Sequence, residues 1–552
     1  MDLPVNDSLT AAEAVVTSRG AIRQVLTHAS ALRLEDLKLN IGTGPTILVM
    51  IAAWFLLSAY TRPSIRIAGA PVVGRRSKWE PDLSLLWRYT AQAREIIGGG
   101  AARFKDRPFI VKRHDVDWNV MPHKYLDELR LVSPLKLSSV KANTQNLGHK
   151  WTKLTHVTTS NLHFRVVSNK LTPDLPKYLE GIRRELDDVW ADEVPRPTEW
   201  QEFDIQEAHR RLAGRLAAKV FVGHPACRDP EWIRVSVGFS MDVFKTGLLL
   251  RMFPPLLHPI VARLLPSRRA VLNDLEIAKR TLGPLMDKHR EHVAAKARGE
   301  EVEEEEDILL HWMMDHATDE ENKLDNMAVR NLFITLAAVH TTSMSATHML
   351  FDLCAHPEWL DVMRDEISQV KRELGPLGSS PEAAPKHWLA RLEKMDSLFV
   401  ESQRMNLPSL FVPQRIATED YTLKDGTVIP KGAKITWAAR DHMHDPDVYH
   451  DPSVFDPMRS YRKRHSAPGL LNKHLASAAS LDSLAFGYGA QACPGRWFSV
   501  GEVKLILVKL LSEYEVKFTP DRTTRPENLY AGENSFPDPS VNIMLKLREE
   551  PL

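Results

Sequence analysis

The distribution of apolar and polar positions divides the chain into regions of different character. Residues 39–61 carry no charged side chain, and residues 41–60 among them form a strongly apolar run with Trp54 and Tyr60 towards one end. About 20 helical residues at ~1.5 Å each cover the ~30 Å hydrocarbon core of a bilayer, so this run predicts one transmembrane helix. It starts too far into the chain, and without a short basic segment before it, to read as a cleaved signal peptide. From residue 80 to about residue 400 the pattern is amphipathic and helical, as in Tyr178-Leu179-Glu180-Gly181-Ile182-Arg183-Arg184-Glu185-Leu186-Asp187-Asp188-Val189-Trp190, where apolar residues recur every three or four positions. Strand signals concentrate later. Asp425-Gly426 between Tyr421-Thr422-Leu423 and Thr427-Val428-Ile429 marks a hairpin. The expected architecture is mainly α with small β-sheets: an N-terminal tail over residues 1–38, a transmembrane helix over 39–61, a Pro-containing basic linker over 62–79, and one large domain over 80–552.

Charge gives this plan an orientation. Arg62, Arg66, Arg75, Arg76 and Lys78 follow the apolar run with no acid before Glu80, so the positive-inside rule places the large C-terminal part in the cytosol and the tail in the lumen. The glycosylation sequence Asn6-Asp7-Ser8 then falls on the lumenal side. Over the whole chain Lys plus Arg (72) nearly balances Asp plus Glu (71), which removes nucleic acid as an expected partner. The acidic tract at residues 300–307 and the Gly/Pro/Ser-rich stretch at 375–385 read as solvated connectors.

Three cysteines, Cys227, Cys354 and Cys493, are too few and too far apart for a disulfide framework or a Cys-x-x-Cys metal site. Cys493 stands apart because it lies in Phe486-Gly487-Tyr488-Gly489-Ala490-Gln491-Ala492-Cys493-Pro494-Gly495-Arg496-Trp497-Phe498, directly before an apolar helical stretch. Glycines on both sides permit a tight loop whose amides point at the sulfur, and a helix N-terminus follows; both favour a thiolate able to ligate iron. This run resembles the haem-binding signature of the cytochrome P450 family, with Phe486, Gly489, Cys493 and Gly495 in register. Gln491 replaces the usual basic residue at a haem propionate and keeps an amide donor without the charge. The resemblance implies a P450 prism fold for residues 80–552, haem b (iron protoporphyrin IX) as cofactor and Cys493 as its axial ligand.

Other segments carry the same resemblance. Glu401 and Arg404 are three residues apart on one helix face, and Phe455-Asp456-Pro457-Met458-Arg459 is similar to the element that brings a second arginine, here Arg459, to that glutamate; these are structural assignments. Phe333-Ile334-Thr335-Leu336-Ala337-Ala338-Val339-His340-Thr341-Thr342-Ser343 resembles the family's distal helix, with Ala338 where a small residue makes room for oxygen and Thr341 as the proton-handling threonine. His340 stands where an acid is commoner, as in fungal members with a His-Thr-Thr sequence, and can relay protons near neutral pH. Arg415 matches a propionate-binding arginine. The family's Trp-x-x-x-Arg haem contact is absent ahead of Leu171, where Phe164 and Ser168 stand and His163 and Arg165 are the candidate substitutes.

Taken together these segments resemble a fungal, endoplasmic-reticulum-bound monooxygenase of secondary metabolism, single-pass, with its catalytic domain in the cytosol. No nucleotide-binding fingerprint serves a flavin or nicotinamide, since Gly42-Thr43-Gly44 lies in the apolar run. The resemblance therefore implies electrons from a separate NADPH-cytochrome P450 reductase carrying the flavins. The predicted membrane anchor, Ala337, Ala338 and Val339, and the apolar Leu410, Phe411 and Val412 favour an apolar small-molecule substrate, a terpenoid or related metabolite. Two other functions are compatible with a haem-thiolate site: a reductase-independent isomerase or dehydratase, against which Thr341 argues, and a non-catalytic membrane haem carrier or sensor.

Overall fold

The computed structural model describes residues 64–552. The apolar run at residues 41–60 and Asn6 lie outside the described residues; among the described residues no helix is long and apolar enough to cross a membrane.

A 32-residue helix, Leu324–Ala355, forms the axis of the domain. It is apolar over most of its circumference, as a helix surrounded by others must be. The helices Ile205–Phe221, Pro230–Arg251, Pro266–Ala297, Glu393–Met405 and Arg496–Glu513 all pack on it. Their ends follow local chemistry. Asp204 accepts from the amides of Gln206 and Glu207, Asp229 accepts from Glu231 N ahead of the Pro230–Arg251 helix, and Pro230 occupies a first-turn position where its missing N–H costs nothing. The amphipathic stretch at 178–190 belongs to the helix Leu175–Glu193 and buries Tyr178, Leu179, Ile182, Leu186, Val189 and Trp190.

Beside the helices lies a five-stranded sheet in the order Phe109–Lys112, Asp117–Val120, Lys434–Ala438, Phe411–Ala417, Leu137–Ser138. All its pairings are antiparallel except that of Asp117–Val120 with Lys434–Ala438. A three-stranded sheet joins Gln201–Phe203, Ile543–Leu547 and Tyr514–Phe518, and two hairpins complete the β content, one of them the predicted Tyr421–Thr422/Val428–Ile429 pair.

Three expectations need correction. Strands do not wait until after residue 400: Phe109–Lys112 and Asp117–Val120 are buried at every position, so they lack the alternation that announces a half-buried strand. The stretch read as a linker is docked from Ser64 onward. Ile110 N donates to Pro71 O at 2.8 Å, Val73 N donates to Ile110 O at 2.9 Å, Ile67 is buried, and Arg66 pairs with Asp117 at 2.6 Å. The acidic tract is solvated only in its first part: Asp307 accepts from Lys177 and Tyr178, Glu306 from His224 N, and Glu305 meets His289. A run of like charges is legible in sequence, whereas the distant cations and hydroxyls that fold over it are not.

Candidate active site

The Cys493 loop is built by two left-handed glycines and one close approach. Gly487 and Gly489 have φ of +76° and +75°, and at Gly489 the backbone passes so near the 130 segment that Ala490 N donates to Arg130 O at 2.8 Å. Cys493 N then donates to Phe486 O at 2.8 Å, which closes the loop and leaves Phe486 half-buried against the main core. The amides of Gly495 and Arg496, at the start of the Arg496–Glu513 helix, donate towards the Cys493 sulfur. Burial pushes the thiol up, while those amides and the Arg496 guanidinium pull it down. Cys493 is nevertheless exposed. The sulfur is thus accessible although the loop that carries it is closed by its own backbone.

The axial helix carries the next candidate residues. Within its buried middle, Ala337 and Thr341 are exposed, one turn apart on one face, and Thr341 Oγ1 donates to Ala337 O at 2.7 Å. The neighbouring Thr342 Oγ1 meets Ser499 Oγ at 3.0 Å, fixing this part of the helix against the helix that follows Cys493. The exposed small residue on the Thr341 face is thus Ala337, whereas Ala338 is half-buried and packs on the core. The one-turn spacing to Thr341 was the signal that could have selected it.

His340 is turned elsewhere. Its Nε2 lies 2.9 Å from Val237 O on the Pro230–Arg251 helix, and burial lowers its pKa. It reaches a separate groove of about 680 Å³ between that helix, Ile205–Phe221 and the hairpin at 529–536, a groove lined by neither Cys493 nor Thr341. The structure therefore leaves Cys493, Ala337 and Thr341 each exposed and turns His340 to a groove that none of the three lines.

Arg415 and Gln491 take different parts. Arg415 is buried, donates to Gln414 O at 2.8 Å and Tyr488 O at 3.5 Å, and has no carboxylate partner among the described residues; burial alone lowers it to about 10. A guanidinium buried beside the cysteine loop with only carbonyls for company is suited to an anion. Gln491 uses its amide as a tie: Oε1 accepts from Ser139 N at 2.9 Å and Nε2 donates to Leu137 O at 2.7 Å. His163 is engaged with the fully buried Arg330, 3.1 Å away, and burial with that charge lowers it to about 3; Arg165 is exposed. Arg330, which no motif in the sequence singles out, also binds His156 O, Ser160 Oγ and Asn326 Oδ1.

Glu401, Arg404 and Arg459 come together. Arg404, wholly buried, donates to both oxygens of Glu401 (2.8 and 2.9 Å) and to the carbonyls of Met443, Pro452 and Val454. Arg459 Nε stands 3.4 Å from Glu401, and Asp456 N donates to Glu401 Oε1 at 2.9 Å.

Residues 135–546 match the family described as Cytochrome P450. The chain belongs to the cytochrome P450 family. This P450 is 40% identical over 495 residues to the cytochrome P450 monooxygenase ATR4 of Stachybotrys chlorohalonatus, covering 89% of this chain and 93% of that one. It is 37% identical over 484 residues to an ent-kaurene oxidase of Fusarium fujikuroi, covering 87% and 88%. The fold is similar to that of a retinoic acid-bound cyanobacterial CYP120A1, with a TM-score of 0.56 and 16% identity over 88% of this chain and all of the other. It is a P450 monooxygenase of the fungal secondary-metabolism type, and the family implies haem. The residues fit that group: an exposed thiol with amides at its sulfur, a buried arginine with no carboxylate partner among the described residues, and a small residue one turn from a threonine on the axial helix.

Proposed function

We propose that this P450 oxidises an apolar terpenoid or related fungal metabolite, inserting one oxygen atom of O₂ into a C–H bond while two electrons and two protons convert the other to water. In this reading Cys493, Ala337 and Thr341 share one hollow, and the observation that carries it is the exposed Cys493 sulfur with the Gly495 and Arg496 amides donating towards it. Cys493 would hold the haem iron, with Arg415 supplying positive charge to a propionate; the bound haem supplies the oxygen activation. The amides of Gly495 and Arg496 hold negative charge on the sulfur. Ala337 leaves room for a small ligand, and Thr341 presents a hydroxyl whose own proton is parked on Ala337 O, so that its lone pairs face the hollow and can accept and pass a proton there. His340, bonded to Val237 O, would act by holding the helix and not by delivering protons to the hollow.

An apolar substrate agrees with the enzymes named ent-kaurene oxidase among the relatives, whereas Leu410 and Phe411 are spent in a hydrophobic core cluster. Association with the endoplasmic-reticulum membrane is supported by residues 41–60 and by exposed apolar side chains between 244 and 264, including Phe244, Leu248, Phe253, Leu256, Ile260 and Leu264. The electron donor in this reading is the NADPH-dependent diflavin reductase of that membrane. The test is reconstitution of the full chain with such a reductase and a panel of terpene hydrocarbons, ent-kaurene included. NADPH-dependent, O₂-derived hydroxylation, lost in Cys493→Ser together with the red-shifted Soret band of the reduced carbon monoxide complex, supports it. Turnover of an oxygenated lipid without NADPH would replace it with the isomerase reading.

A further inference from the structure

The Pro266–Ala297 helix, the acidic stretch after it and the short helix Leu309–Asp315 bring two imidazoles and two carboxylates together, away from the Cys493 loop. His289 and His311 stack with ring centroids 4.1 Å apart and planes within 8°. Glu305 Oε2 lies 2.6 Å from His289 Nδ1 and 3.8 Å from His311 Nδ1, and the ligand atoms of the three residues all lie within 4.8 Å of one another. On the far side of its ring, His289 Nε2 meets Asp315 Oδ1 at 3.1 Å. The side chains of His289, His311 and Glu305 are only 9, 12 and 13% exposed.

We propose that His289, Glu305 and His311 form a binding site for a divalent transition-metal ion of the Zn²⁺ type, with Asp315 orienting His289. Two imidazole nitrogens and one carboxylate oxygen are a donor set such ions favour. The Asp315 carboxylate sits where an orienting partner belongs: it engages Nε2, fixes the ring, and leaves Nδ1 to donate inward. Donors ~2.1 Å from a tetrahedral ion are about 3.4 Å from each other. The observed 2.6 and 3.8 Å separations from Glu305 Oε2 bracket that value, so each of these two contacts must change by less than ~1 Å. The short His289–Glu305 contact is a hydrogen bond, its proton held where the cation would sit. Because a ring nitrogen donates in its own plane, the His311 ring must swing out of the stack as the ion enters. The acidic residues Glu300, Glu301, Glu303 and Glu304 on the same stretch draw cations towards the opening. A second group, Glu185, His224 and Cys227, is poorer because Arg228 already binds both Glu185 oxygens. An ion at His289 would tie three segments of chain into one unit.

The test is calorimetric titration of Zn²⁺ into the purified, haem-loaded full chain, beside His311→Gln, Glu305→Gln and Asp315→Asn. Each variant is first shown to be folded by its reduced carbon monoxide spectrum. One saturable equivalent in the wild type, absent in His311→Gln and Glu305→Gln and weakened about 10–100-fold in Asp315→Asn, is the expected result. Zn²⁺ should also raise the melting temperature of the wild type and not of His311→Gln. A wild type without a saturable site, or His311→Gln and Asp315→Asn binding as the wild type does, overturns the proposal.

Discussion

Replacing Gly489 by alanine tests whether the cysteine loop is held by a backbone contact or merely tolerates glycine. A Cβ at this position would lie 2.1 Å from Arg130 O and 2.7 Å from Arg130 C and Cα. A carbon–oxygen contact needs ~3.3 Å, so one segment must retreat by about 1 Å, and no flexible side chain is available to absorb the shift. Retreat breaks the Ala490 N–Arg130 O hydrogen bond, worth about 1 kcal/mol, and alanine at a φ of +75° costs roughly 1–2 kcal/mol more. Together about 2–3 kcal/mol disfavour the native loop, on the order of 10²-fold in equilibrium. The assay is haem per polypeptide and the red-shifted Soret band of the reduced carbon monoxide complex, with Gly495→Ala alongside. Gly495 has φ −85° and open space around its Cβ position, so its alanine variant should match the wild type. Wild-type haem content, spectrum and melting temperature in Gly489→Ala would refute the reasoning.

Thr341→Ala should keep haem and NADPH consumption but yield less product per NADPH, because the hydroxyl now bonded to Ala337 O is lost; unchanged coupling would remove its proton role. Glu401→Gln leaves the wholly buried Arg404 without its counter-ion and should destabilise the domain by about 3–5 kcal/mol, whereas Arg459→Ala, with its longer 3.4 Å contact, should cost clearly less; equal losses in thermal unfolding would contradict the geometry. Lys434 is buried, and desolvation followed by the charge of Arg113 lowers it to about 7. The unfolded chain, with an ordinary lysine, binds more protons than the folded one above pH 7, so stability should rise as pH increases from about 7 towards 10. Lys434→Met should flatten that rise in melting temperature, and an unaltered pH profile would show that another group produces it.

The sequence by itself determined the chemistry of the site because its key residues lie close together in short, locally folding segments. The glycine-flanked Cys493 loop and the one-turn pair Glu401 and Arg404 are placed by local spacing, while the roles of these residues and of Thr341 came from the resemblance of their short segments to the cytochrome P450 family. Helical content was legible for the same reason, and so was the Asp-Gly hairpin. What required tertiary structure was every partner far away along the chain. That Gly489 is required by Arg130, that Gln491 is spent on residues 137–139, that His340 turns to Val237 while Ala337 is left exposed, and that Arg415 is buried without an acid among the described residues are outcomes of packing between distant segments. The two early strands escaped notice because full burial erases the alternation that betrays a strand. The acidic stretch reads as solvent-facing until His289 and Lys177 are folded onto it. Local periodicity decides which face a residue takes, and only the assembled domain decides what that face meets.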